Sequence, residues 1–410
     1  MTTPNGLTPV APTPLAPHRW RIPLALLVTT FINWLDRSGM SLALPKIAQE
    51  RGWTTAEIGA NGGKLIAIFF VGYGLSNMLL SPIAERFGPR RSIAVAIGAF
   101  SICTALNAPL GSTVAALATL RLLLGIGEGI HFPMSSAIVS RWFPANERSR
   151  ATGIWIFGPQ MAVILGPFIM VPLITHFGWQ ALFLALGAAG LLIALPVVVK
   201  FVRDDGPLAP LPGGPSSSAL GAFRLPNYWL ALVGGVLSNV ILYGVLTWLP
   251  TYLSEARHVP FADLAGSTSK PYWLGALAIP IWAVVGDATS KRAWFASIGC
   301  GAAGIAIYLA AHASSLTATV AFISISVFFQ NAYQTSEFTF VQRILPPDRV
   351  GAATGLYNGL AVIIGGAGGT WLVGKVVELT GSYDAGLGVV VFAGLANMLV
   401  LAILARRIRY

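Results

Sequence analysis

Four ionisable residues stand inside otherwise apolar stretches: Asp36 and Arg37 in Asn33-Trp34-Leu35-Asp36-Arg37, and Arg121 and Glu128 in Arg121-Leu122-Leu123-Leu124-Gly125-Ile126-Gly127-Glu128-Gly129. In a membrane helix each would cost about 2.5–3.5 kcal/mol at the centre, which makes each a functional candidate by default. The two signs suit two tasks. An arginine offers a planar fork that matches a carboxylate. An acid withdrawn from water has its neutral form favoured, so it can carry a proton. Successive helical residues turn by 100°, so Arg121 and Glu128 lie within about 20° of one face and roughly 10.5 Å apart along the axis, sharing one wall of a cavity. A plainer reading stands beside this one: the acids neutralise the arginines and do nothing more. His131 follows three residues after Glu128, where it could relay protons or contact substrate, or equally pack between helices through a hydrogen bond.

The elements that must hold these groups follow from composition. The chain has 410 residues, 55% hydrophobic and only 10% charged, with a mean hydropathy of +0.71. A water-soluble protein carries about a quarter of its residues charged. Runs such as Ser92 to Leu106 and Leu182 to Val199 do not alternate as barrel strands of about ten residues would. Helices of roughly 20 residues satisfy their own backbone in hydrocarbon, so the expected class is an all-α membrane protein. Soluble enzymes, nucleic-acid binders and secreted disulfide scaffolds are excluded, and the net charge of +11 follows membrane topology. Cys103 and Cys300 sit in apolar stretches, which argues against a disulfide framework and leaves the redox compartment open. The five histidines, at 18, 131, 176, 258 and 312, are scattered, so no metal, cofactor or catalytic constellation is expected.

Apolar runs predict twelve spans, near 21–43, 62–80, 92–110, 113–139, 152–174 and 180–201, then 227–253, 268–286, 294–312, 316–340, 351–376 and 384–405. The predicted organisation is a disordered tail over 1–18, a six-helix half over 19–202, a flexible cytoplasmic linker over 203–225 and a second half over 226–410. The tail has five prolines and no Lys or Arg, unlike a signal peptide. Placing both termini in the cytoplasm puts 18 of the 26 Lys and Arg on that side, as the positive-inside rule requires. The halves repeat at an offset of 202: Glu85 matches Asp287, Arg90 matches Arg292, Arg141 matches Arg343, Pro144 matches Pro346, and Ala151-Thr152-Gly153 matches Ala353-Thr354-Gly355. Duplicated halves place a substrate site near the midplane and rock about it. At the same offset Asp36 and Arg37 become Ser238 and Asn239, and Arg121 and Glu128 become Ile323 and Gln330. Charge is thus confined to the first half. The second offers neutral groups suited to a polar substrate: Asn239, Tyr243, Gln330, Asn331, Ser336 and Asn358.

The loop Glu85-Arg86-Phe87-Gly88-Pro89-Arg90-Arg91 resembles the major facilitator superfamily signature G-x-x-x-D-R-x-G-R-R/K, with Glu85 for the usual Asp and Ser81 for the leading Gly. The resemblance implies the fold of that superfamily, in two pseudo-symmetric six-helix halves. An acid at a helix end that pairs with arginine across the cytoplasmic seam would favour one closed state. Glu85, Arg86 and Arg90, with Asp287 and Arg292, are therefore gating candidates; topogenic charge is the plainer account of the arginines. Within the superfamily, the stretches around Asp36 and Arg121, the stretch Arg141-Trp142-Phe143-Pro144-Ala145-Asn146-Glu147-Arg148, and Asn358 through Gly374 resemble the anion:cation symporter family. That family usually has Tyr where Trp34 stands and a small or neutral residue where His131 stands. The resemblance implies anion binding by Arg37 and Arg121, protonation at Asp36 and Glu128, and substrate contact by Tyr73 in Gly72-Tyr73-Gly74.

Gln160 and Trp371 are further candidates for the cavity wall, with packing at helix seams the alternative. Glu337 is expected near the cytoplasmic end of span ten, exposed to water or paired with arginine. Gly125, Gly127 and Gly129 read as close helix packing, since no strand precedes them and no lysine follows as in a phosphate loop. The expected function is proton-coupled import of a small organic anion by alternating access, the protein working as a monomer in a bacterial inner membrane. A hydroxylated sugar acid ranks first as substrate. Aromatic or short-chain monocarboxylates come second, favoured if Trp34, Phe69, Phe70 and Trp371 face the cavity. Sodium coupling or anion exchange could use the same scaffold. A drug exporter ranks lower, because Leu165-Gly166-Pro167-Phe168-Ile169-Met170 lacks the second glycine pair of the antiporter motif. A transporter-like receptor is the distant alternative.

Overall fold

The computed structural model describes residues 17–208, 219–345 and 350–408. Most of the predicted tail, the centre of the linker, and Pro346, Arg349 and Arg409 lie outside the described residues. Every regular element within them is helical. Helix α1 (Arg21–Glu50) has 30 residues, roughly 45 Å of length, enough for a hydrocarbon core of about 30 Å. The longer helices of the rest of the first half are α2 (Gly63–Leu79), α3 (Pro89–Leu110), α4 (Val114–Glu128), α5 (His131–Trp142) and α6 (Ala145–Ala189), with short helices at Ser81–Phe87 and Leu195–Phe201. The second half comprises α7 (Pro226–Thr251), α8 (Leu264–Thr289), α9 (Arg292–Ala311), α10 (Leu316–Gln334), α11 (Glu337–Ile344), α12 (Val350–Ala361), α13 (Gly368–Thr380) and α14 (Tyr383–Arg407).

Ten helical segments among the described residues are long and apolar enough to cross a membrane. The longest reverses at Gly178, whose φ of 83° and ψ of 166° suit glycine alone, and so contains two limbs. Helix α1 stands outside the ten because Asn33, Asp36 and Arg37 depress its hydropathy. The twelve-span expectation rests on those two allowances. Val95, Leu192 and Phe392 are each more than 70% exposed, a surface that hydrocarbon accepts and water does not.

Two expected spans are broken. The one over 113–139 divides at Gly129–Ile130 into α4 and α5, and the one over 316–340 divides at Thr335–Ser336 into α10 and α11. The repeat reappears in helix capping. The Thr113 hydroxyl accepts from Ala116 N at 3.1 Å, and the Ser315 hydroxyl accepts from Ala318 N at 3.2 Å, again 202 residues apart. Within the halves α1 packs on α6, α2 on α4, α9 on α10 and α14; between them α6 meets α8, α1 meets α7, and α2 meets α12 and α13. Small residues permit the closest approaches. A Cβ on Gly125 would sit 2.9 Å from Tyr73 N, and one on Gly59 2.6 Å from Glu378 N.

The linker begins differently from expectation. Its first residues are tied down: Trp142 Nε1 donates to Arg203 O at 2.9 Å, and Asp204 Oδ1 accepts from Arg90 N at 2.8 Å.

Candidate functional site

Asp36, Arg37, Arg121 and Glu128 are each at most 4% exposed and converge where α1 faces α3, α4 and α7. Arg37 is the most heavily engaged. Its Nη2 reaches Glu128 Oε2 at 3.3 Å and its Nη1 donates to Tyr243 OH at 3.5 Å. Its guanidinium carbon lies 4.4 Å from the Tyr73 ring centroid, 4.7 Å from Trp34 and 5.3 Å from Phe69, distances at which the ring quadrupoles attract a cation. Phe70 stacks on Tyr243 with centroids 4.2 Å apart, so first-half and second-half side chains meet around Arg37.

Sequence periodicity put Arg121 and Glu128 together, yet the hydrogen-bonded acid of Glu128 goes to Arg37 on the neighbouring helix. Arg121 keeps only a long contact, Nη2 to Arg37 O at 3.5 Å, over the same Phe69 ring at 5.0 Å. Its Nε and Nη1 are buried without a hydrogen-bond partner. Asp36 turns to α3, where Oδ2 accepts from Thr104 Oγ1 and Oδ1 has no partner. His131, three residues after Glu128, also faces α1, with Nε2 3.1 Å from Thr29 Oγ1. That is a hydrogen-bonded interhelical contact, and Nδ1 stays unpartnered.

Beside this cluster a cavity of about 190 Å³ lies between the halves, lined by Trp34 and Gln160 from the first and by Tyr272, Ser326, Gln330 and Asn331 from the second, with Val163, Ile241, Val245, Leu246 and Val327 among its apolar walls. Most of the predicted amides have already spent their nitrogens. Gln160 Nε2 donates to Tyr272 O at 2.9 Å, and Gln330 Nε2 to Ser238 O at 3.1 Å and Oγ at 2.7 Å. Asn239 and Asn331 bond back to carbonyls of their own helices, and Ser336, at the break after α10, bonds to Ala332 O of that helix. Asn358 is half-buried on α12 and does not line this cavity. Trp371 lies outside it as well: 47% exposed, it shares the outward face of α13 with Leu372 and Leu379.

No hydrogen bond or ion pair among the described residues joins the gating candidates of one half to the other. Glu85 and Arg86 are exposed. Arg90 is held by Asp204 and by Val199 O at 2.7 Å, and Arg292 pairs with Asp287 beside it. Glu337 contradicts its expected exposure to water or arginine pairing. It is 8% exposed, and its Oε1 accepts from Tyr357 OH at 2.9 Å, which in turn lies 2.8 Å from Tyr333 OH. Sequence reading missed Thr104, Tyr272, Ser326 and this tyrosine pair, since an isolated hydroxyl in an apolar span carries no sign of what faces it.

The family model for the Major Facilitator Superfamily matches residues 26–370. The chain belongs to that superfamily. It is therefore a multi-pass membrane transporter, and its relatives are transporters and not enzymes. It is 29% identical to the "Probable sulfoacetate transporter" of Cupriavidus necator over 86% of both chains. It is 26% identical to the hexuronate transporter of Bacillus subtilis over 91% of this chain and 92% of that one. Among solved structures, a bacterial homologue of the human lysosomal transporter Spinster, inward-facing and unoccupied, matches with a TM-score of 0.76 at 18% identity, covering 95% of this chain and 96% of the other. At that identity the likeness concerns the fold alone.

Proposed function

We propose that this transporter imports a small organic anion together with a proton, the anion's carboxylate docking on Arg121 with help from Arg37. The observation that carries the reading is the division of partners. Arg37 spends its terminal nitrogens on Glu128 and Tyr243 and leaves only Nε unpartnered, while Arg121 lies buried with both Nε and Nη1 unpartnered, and a buried donor left unpaired costs about 1–3 kcal/mol. Charge arithmetic supports coupling. With all four side chains ionised, two positive charges balance two negative ones. An incoming carboxylate upsets the balance, and one proton on Glu128 or Asp36 restores it while loosening Glu128 from Arg37. Uncompensated charge is what a low-dielectric interior resists most. The names of the two relatives above support an oxyanion substrate. The remaining parts of the proposal are two six-helix halves over 19–202 and 226–410, cytoplasmic termini, a bacterial inner membrane and a monomer.

Glu128→Gln tests the coupling because it fixes the neutral state. In proteoliposomes the variant should lose accumulation driven by a pH gradient and keep substrate exchange, which needs no net proton movement. Normal concentrative uptake by the variant would remove Glu128 from the coupling role.

A further inference from the structure

Away from the charged cluster, α1 and α6 leave a groove on the membrane-facing surface. The two helices meet where a Cβ on Gly158 would lie 2.7 Å from Leu27 O, and where Thr30 Oγ1 donates to Trp155 O at 2.8 Å. From that contact both run back to the end of their spans, where Trp20 precedes α1 and Arg150 precedes the apolar run that begins at Ala151. Trp20 and Arg150 line the groove at that end, and Leu27, Gly153, Ile154 and Phe157 line it further in. Leu27 and Phe157 each stand seven residues beyond Trp20 and Arg150, roughly 10.5 Å along the helix. An added Cβ on Gly153 would meet nothing within 4 Å, and Phe157 is 50% exposed, so the deeper part is open and faces hydrocarbon.

The head of the groove is positive. Arg150 makes no hydrogen bond or ion pair with any described residue, and its guanidinium carbon lies 5.5 Å from the Trp20 ring centroid. Trp20 is braced in turn by the buried Phe143, edge-on with centroids 4.9 Å apart. Glu147, one turn before Arg150, is taken by Arg19 at 2.8 Å. We infer that this groove binds an anionic phospholipid, its phosphate on Arg150 beside the Trp20 indole and one acyl chain along Gly153, Ile154 and Phe157. A guanidinium fork matches phosphate oxygens, basic pockets between membrane helices hold acidic headgroups, and indoles settle at headgroup level. The internal repeat separates this from the demands of the fold. Gly153 recurs as Gly355, again with nothing near its added Cβ, whereas at the offset of 202 Trp20 and Arg150 become Ala222 and Ala352. The open glycine is kept in both halves, and the cation with its indole in one. Residues 1–16, the part of the chain next to Trp20, carry no Asp or Glu with which to pair Arg150.

The test uses purified full-length protein and native mass spectrometry, with palmitoyl-oleoyl phosphatidylglycerol set against phosphatidylcholine of the same chains. The wild type should hold one phosphatidylglycerol about fivefold or more tighter than phosphatidylcholine. Arg150→Gln removes the cation and should lower that affinity about fivefold, the share of one basic residue at a membrane surface. Gly153→Leu fills the open slot without touching the charge, and should displace the lipid while the unfolding midpoint holds. Arg406→Gln, an equal loss of charge at another exposed helix end, should leave the lipid in place. Equal binding of the two lipids, unchanged affinity in Arg150→Gln, or an equal fall in Arg406→Gln overturns the headgroup assignment. A fall in Arg150→Gln with full retention in Gly153→Leu overturns the acyl slot. Inorganic phosphate that displaces the lipid at equal concentration also overturns the inference, since the groove would then be a site for soluble anions.

Discussion

Arg121→Lys separates a balancing charge from a binding fork. If Arg121 only offsets the buried acids, lysine keeps the charge sum and nothing measurable should follow. If it takes a carboxylate in a fork on Nη2 together with Nε or Nη1, both of the latter unpartnered, lysine retains one charge-assisted bond of two. The lost bond is worth about 1.5–3 kcal/mol, roughly ten- to hundredfold in affinity. Stability should barely change, because the contact given up is Nη2 to Arg37 O at 3.5 Å, beyond the usual range for an N–H donor. Arg37→Lys provides the contrast. It disturbs the 3.3 Å pair with Glu128 and three aromatic contacts, so it should lower the unfolding midpoint as well as affinity. Calorimetry at fixed pH, with a carboxylate that stabilises the wild type in a thermal-shift screen, reads the first quantity, and the thermal midpoint reads the second. Wild-type affinity in Arg121→Lys would refute the docking argument and leave Arg37 as the remaining anion-binding arginine.

Three further outcomes are expected. Tyr357→Phe strands the Glu337 carboxyl and the Tyr333 hydroxyl and should cost about 1–3 kcal/mol, with Glu337→Gln in the same chain recovering part because a neutral amide is cheaper to bury than a carboxylate; an unchanged midpoint would mean that the bond does not form. Gly125→Val drives two methyl groups into α2 backbone, against Phe69 O and against Tyr73 N at 2.9 Å from a Cβ, and should destabilise by about 1–3 kcal/mol while weakening substrate binding through Tyr73; a fully stable, fully active variant would show that the α2–α4 contact yields. Ser149→Cys should escape an impermeant thiol reagent in intact cells and Ala262→Cys, also exposed, should react; the reverse pattern would invert the topology.

The ionisable quartet was legible because charge inside an apolar stretch is visible whatever packs around it. The repeat was legible for a related reason: turn and cap positions must recur if the fold is duplicated, and Thr113 and Ser315 now add to that register. Partners were not legible. Helical periodicity relates residues on one helix, so it joined Arg121 to Glu128 and was silent on Arg37, whose side chain reaches Glu128 from the separate helix α1. His131, three residues after Glu128, meets the same helix α1 at Thr29, the interhelical hydrogen bond that its spacing allowed. A place near the cytoplasmic end of a span suggests water or an arginine for Glu337, but its carboxyl instead accepts from the buried Tyr357 hydroxyl. Trp371 shows the complementary error, an aromatic in a span whose direction no local pattern specifies.

The same geometry explains why charge on one half can govern contact between both. Arg37 belongs to α1, yet its two terminal nitrogens reach Glu128 in the first half and Tyr243 in the second. When Glu128 is ionised the pair holds the guanidinium back at 3.3 Å; a proton on Glu128 removes the attraction and leaves Tyr243, the aromatic faces and an arriving carboxylate to compete for it. In the proposed transport, anion and proton would act on one side chain that touches both halves, and rocking of the halves would stretch its 3.5 Å contact with Tyr243. The neutral, substrate-loaded cluster would then cross between states at lower cost than one carrying an unbalanced charge, which is the electrostatic ground on which coupling is proposed.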